Sequence, residues 1–201
     1  MRCFLFFIFF SSSLFAQEIL SPLLSNPRVN NCQISKNKNS LTLPFFDDFS
    51  SNELNANKWI GNSVLVNCNY PVNPPTLGVV TFDGLDSNGF AYDINMTNNN
   101  GLADVLLSQE IDLSVVDTAF FLFYHQPEGL GDNPQGQDSL SLEFLSDSLG
   151  VKLWKKVWSV PGNSLHEFHK NVIMIYDQEF LYNSFQFRFS NIATLSGNFD
   201  H

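Results

Sequence analysis

The sequence predicts an all-β fold, a two-sheet antiparallel β-sandwich, on three observations. Two segments, Ser139–Phe144 (SLSLEF) and Phe185–Ser190 (FQFRFS), alternate apolar and polar residues, the period-two signature of a strand with one face on a core. Short apolar runs recur between Gly, Pro, Asn and Asp turns, and one short stretch, Asp177–Tyr182, has helical character. Phe fills 21 of 201 positions, bulk that suits the space between two facing sheets.

The elements follow in chain order. Leu41–Phe46 is an apolar run closed by Asp47-Asp48, and Ser63–Asn67 carries Val64 and Val66. Leu77–Phe82 precedes the loop Asp83–Gly89, and a polar tract, Asn95–Gly101, leads to the run Asp104–Ser108. Ala119–Tyr124 (AFFLFY) has no alternation, so it is expected to be a central strand buried on both sides. In SLSLEF, Leu140, Leu142 and Phe144 point inward; in FQFRFS, Phe185, Phe187 and Phe189 do. Val151–Val157 and Val172–Ile175 complete the set. No internal repeat is visible.

Residues 1–16 stand apart from the fold. Met1-Arg2, the apolar run Cys3–Phe10 and the softer Ser11–Ala16 read as a secretory signal, too short to span a bilayer, which takes ~20 apolar residues. Residues 17–40, rich in Ser, Asn, Lys and Pro, read as a leader, and residues 41–201 as the sandwich domain. No later run is long enough for a transmembrane segment. A secreted or cell-surface location follows as an expectation. In an oxidising compartment, Cys32 and Cys68, both set among polar turn residues, are expected to pair as a disulfide.

Composition excludes two classes. With 44% hydrophobic residues the chain is not a disordered polymer, and a net charge of -10 argues against nucleic acid as a partner, which calls for a basic face. Tests for catalysis fail. His166-Glu167-Phe168-His169 lacks the second histidine at the spacing that a helical zinc motif needs, because position 170 is Lys. Glu110-Ile111-Asp112 resembles part of the carboxylate motif of sandwich-fold glycosidases, but position 115, where a third acid belongs, is Val. No catalytic residue is assigned, and a glycan hydrolase stands as the alternative to a non-catalytic module.

Calcium is the expected cofactor, since hard cations take carboxylate and carbonyl oxygens. Asp47 and Asp48 form the first candidate site; Asp83, Asp86 and Asn88 form the second. Turn chemistry alone also accounts for acids at such positions. The long loop Gln126–Asp138, with Glu128, Asp132 and Asp138, is the candidate binding loop. Trp154 and Trp158 with Tyr124 suggest a sugar-stacking platform, although the even spacing of the two Trp puts them on one strand face, where core packing is the default.

The segments Leu43–Ser50 with Trp59, Tyr70–Gly78, Thr81–Asp86, Gln126–Asp132 and Leu195–His201 together resemble the N-terminal jelly-roll (MAM/concanavalin-like) domain of Bacteroidota surface proteins exported by the type IX secretion system. The resemblance implies an adhesion or binding module, a glycan or protein ligand outside the cell, and passage through a secretion machinery. It also implies a structural calcium held by an acid near the first strand, Asp47 or Asp48, and one near the last, Asp200. Such proteins continue beyond the segment in which this sequence stops. A fragment lacking its closing strand is therefore expected, with an unpaired edge, exposed core and marginal stability. A structural spacer is the third reading.

Overall fold

The computed structural model describes residues 40–61, 63–95 and 100–197, and these form an antiparallel β-sandwich. Its strands are β1 (Trp59–Ile60), β2 (Leu65–Asn67), β3 (Val79–Thr81), β4 (Asn100–Ser108), β5 (Ala119–His125), β6 (Ser139–Ser148), β7 (Val151–Pro161), β8 (His169–Ile175) and β9 (Phe187–Thr194). One layer is a five-stranded sheet in the order β1-β4-β9-β6-β7. Two separate ribbons, β2–β3 and β5–β8, lie against its inner face. Every ladder is antiparallel. β6 and β7 are joined by Leu149-Gly150, both at positive φ (55° and 84°). A two-residue turn of this hand matches the twist of the strands it joins, and Asp147 Oδ1 accepts the Gly150 N–H at 2.9 Å.

The alternating segments build the core as their spacing requires. Leu142 and Phe144 of β6, together with Phe185, Phe187 and Phe189, are buried. Phe121 and Phe123 of β5 meet them edge-on: Phe121 lies 4.6 Å from Phe187 and 5.5 Å from Phe144, and Phe123 lies 5.0 Å from Phe189. Such pairs add about 0.5–1.5 kcal/mol each beyond the area they bury. Trp59 sits between Phe45 (5.3 Å), Phe49 (5.7 Å) and Phe187 (5.6 Å).

Four expectations are corrected. Leu41–Phe46 is not a strand; it contributes one bridge, Leu41 to Ile111, and irregular chain that brings Phe45 to Trp59. Asp177–Tyr182 is a pair of tight turns, in which Phe180 N–H donates to Asp177 O and Leu181 N–H to Gln178 O. Its apolar content serves a different end, because Phe180 is buried against Phe144. β5 is not buried on both sides: Ala119, Phe121 and Phe123 turn inward, whereas Phe120, Leu122 and Tyr124 are exposed. Trp154 and Trp158 do not share a face. The β6–β7 register shifts between Leu142 and Glu143, so Trp158 pairs with inward-facing Leu142 and Trp154 with outward-facing Leu145. The extra residue of a bulge reverses the side on which every later side chain falls.

Candidate functional site

The second layer leaves part of the five-stranded sheet uncovered. Between the ribbons lies an apolar cavity of about 420 Å³. Every residue from Ala119 to Pro127 lines it, but of β8 only Ile175 does. All three residues of β3 line it, and none of β2. The cavity therefore runs along the edge of β5 turned away from β8 and the edge of β3 turned away from β2. Among the described residues neither edge carries a ladder. Its floor is aromatic, formed by Phe45, Trp59, Phe121, Phe123, Phe187 and Phe189.

The candidate binding loop closes one end of this opening. Val72 N–H donates to Gln126 Oε1 (3.0 Å), and Gln126 Nε2 donates back to Val72 O (2.9 Å). The Gln126 amide also bonds His166 O. Leu130 N–H donates to Tyr70 O at 2.8 Å. A β-carbon on Gly129 would stand 2.4 Å from that same oxygen, so glycine is what lets the loop approach. The three acids of the loop have separate fates. Asp132 is exposed. Asp138 is buried and accepts the Gln135 N–H (2.6 Å) and the Asn100 amide. Glu128 is largely covered; His166 Nε2 is 3.8 Å from its Oε1, and its buried Oε2 has no hydrogen-bond partner among the described residues.

At the same end, His125 and His169 face each other across the last rung of the β5–β8 ladder, with ring centres 5.4 Å apart. Trp158 stands 4.8 Å from His125. The Asn171 amide reaches His125 Nδ1 at 2.8 Å, which suits a neutral ring accepting at that atom. Burial, and then the neighbouring His169, lower the His125 pKa from its ordinary 6.5 to about 4. Across the molecule, burial followed by Asp147 and Glu110 pushes Tyr182 up to about 12.

The described members of the expected metal sites each make hydrogen bonds within their own loops. Asp47 Oδ1 accepts the Phe49 N–H (3.0 Å), and its Oδ2 accepts Trp59 Nε1–H (2.8 Å) with Lys58 Nζ at 3.6 Å. This carboxylate is thus shared by an indole, an amide and an ammonium. Asp48 accepts the Ser50 N–H at 3.2 Å, and hydrogen bonds from Ser50 hold its pKa below the usual carboxylate value. Asp86 Oδ1 accepts the N–H groups of Asn88 and Phe90, while Asn88 is exposed. Among the described residues no three His, Cys, Asp or Glu side chains stand together to hold a metal. Asp200 and Cys32 lie outside the described residues; Cys68 is exposed.

A buried acid was missed in the sequence. The β4–β9 register shifts between Leu102 and Val105, and within that bulge Asp104 is fully buried near Asp83, also fully buried. Asp104 accepts the Gly84 N–H (2.8 Å) and the Tyr92 hydroxyl (3.0 Å). These bonds fasten the 83–92 loop to β4. Glu110 is exposed, and Asp112 is bound by the N–H and hydroxyl of Ser114, which hold its pKa down.

No protein-family model matches the chain, and no curated protein is recognisably similar to it. No helix among the described residues is long and apolar enough to cross a membrane.

Proposed function

We propose that this domain is a non-catalytic binding module that takes an extended segment of a protein ligand along the open edge of β5. The observation that carries the reading is the apolar opening between β3 and β5, bordered by two strand edges without a ladder among the described residues. Strand addition draws affinity from main-chain hydrogen bonds and specificity from pockets for alternate side chains. The aromatic floor suits large apolar side chains on one face of such a segment. A glycan site favours a shallower platform with polar groups. The signal-like residues 1–16 support placing the module outside the cell.

The test is titration of the chain with a panel of ten-residue peptides that alternate large apolar and polar residues, beside a polysaccharide panel. Binding of an alternating peptide, with a change in Trp fluorescence and a raised Tm, is the expected result. Binding to polysaccharides alone would overturn the reading. So would turnover of a glycan that is lost in Glu110→Gln.

A further inference from the structure

The outer face of the β5–β8 ribbon carries a second, independent message. Its side chains are paired by register: Phe120 opposite Met174, Leu122 opposite Val172 and Tyr124 opposite Lys170, with Tyr176 just beyond β8. Phe120 is 69% exposed and Tyr176 57%; Leu122, Val172 and Met174 are each about half exposed. These positions all point away from the sandwich core, because the alternate residues of both strands fill it. The other exposed large apolar residues, such as Phe90, Leu130 and Leu149, are not joined to this patch by any ladder.

We propose that this face is a homodimer interface, in which the β5–β8 ribbons of two copies stack face to face. Three arguments select a second copy as the occupant. The first is area. Six apolar and aromatic side chains at these exposures offer roughly 600 Å² per copy, since a buried aromatic ring covers ~150–250 Å². That stands at the top of the ~300–600 Å² that the largest patch of a typical monomer shows and approaches the ~800 Å² per partner of a standard interface. The second is charge. One end of the ribbon is flanked by Asp117 and Asp177; the other carries Lys170 on its outer face, opposite Tyr124, with exposed Glu167 two residues ahead of β8. None of these four takes part in the ion pairs formed among the described residues. The third is symmetry. A twofold axis between the layers, perpendicular to the strands and level with Leu122 and Val172, sets the acidic end of each copy over the lysine end of the other. It also sets Leu122 and Val172 on their own counterparts, as an isologous contact requires. With a net charge of -10 per chain, two copies repel overall, so the end-to-end charge match is what permits approach and fixes the register.

The experiment is sedimentation of the chain over a range of about 1–100 µM, a span in which interfaces of this size dimerise. The expected result is a monomer–dimer equilibrium. Val172→Lys changes only the outer face, since Val172 does not line the cavity, so the expected result is a monomer with the circular dichroism and Tm of the parent chain. Lys170→Glu places acid over acid and is expected to weaken dimerisation about tenfold or more. Adding Asp177→Lys to that variant is expected to recover most of the loss. A monomeric mass across the whole range overturns the proposal, as does a dimer that Val172→Lys leaves intact or a Lys170→Glu effect that Asp177→Lys does not rescue. A monomer that floats with phosphatidylcholine vesicles would overturn it in favour of a lipid surface.

Discussion

A β-carbon on Gly78 would lie 2.1 Å from the Phe49 carbonyl oxygen, and the Gly78 N–H donates to Asp48 O at 3.1 Å. The loop that presents Phe49 to Trp59 is thus seated on a glycine of the chain entering β3. Backbone cannot yield as a flexible side chain can, so Gly78→Ala is expected to cost about 2–4 kcal/mol in urea unfolding. Gly150→Ala is the control. It meets no atom within 4 Å and is strained only by its positive φ, for about 1 kcal/mol. Equal costs would remove the steric account. Asp47 gives a second measurement in the same loop. Its carboxylate ties Trp59 and Lys58 to the turn at Phe49. Asp47→Asn is therefore expected to lower stability by about 1 kcal/mol, to the same extent with and without chelator. A Tm that drops with chelator in the parent chain but not in the variant would instead place a cation at Asp47.

At the scale of elements, the β5–β8 ribbon carries a pH dependence. The folded pKa of His125 is about 4, below the ordinary 6.5. Between these values the unfolded chain binds a proton that the folded chain does not, so stability falls as pH drops from about 6.5 towards 4 and is flat above 7. The ring keeps part of its surface in water, which limits the loss to about 1–2 kcal/mol. Thermal melts at pH 7 and 4.5 measure it. His125→Gln is expected to remove this part of the slope, and an unchanged slope would assign it to other groups. The ribbon also shows how far the sequence could be read. Period-two patterns located β6 and β9 and identified which of their residues face the core, because a buried face forces alternation. The same logic failed where apolar content had two uses. AFFLFY reads as a strand buried on both sides, yet its outer face is exposed. Bulges were invisible for a related reason. Nothing in the local pattern around Trp154–Trp158 or Asp104 marks an inserted residue, yet each bulge decides which way the side chain points. Asp47, Asp83 and Asp138 were legible as conspicuous acids, and their bonds to N–H groups two or three residues away are local turn chemistry, whereas the Trp59 indole on Asp47 and the Asn100 amide on Asp138 come from distant parts of the chain.

For the whole molecule, the two layers differ in how completely their strands are paired. β6 and β9 are hydrogen-bonded on both sides, β6 between β7 and β9, and β9 between β4 and β6. β5 has a ladder on one side only among the described residues, and its other edge opens on the cavity. In an antiparallel pair every second residue sends its N–H and C=O to the partner, and the residues between send theirs the other way. Amide hydrogen exchange is therefore expected to divide β5 residue by residue. Amides directed at β8 will be protected to the level of local opening, and every second amide, directed at the cavity, will exchange quickly. Those of β6 and β9 will exchange only with global unfolding. A peptide that adds along β5 will slow the fast set and leave β6 and β9 unchanged. Dimerisation through the outer face will not, since it covers side chains and leaves the strand edge free. Uniform protection along β5 in the chain alone would mean that its edge is already occupied, and the binding reading would fail with it.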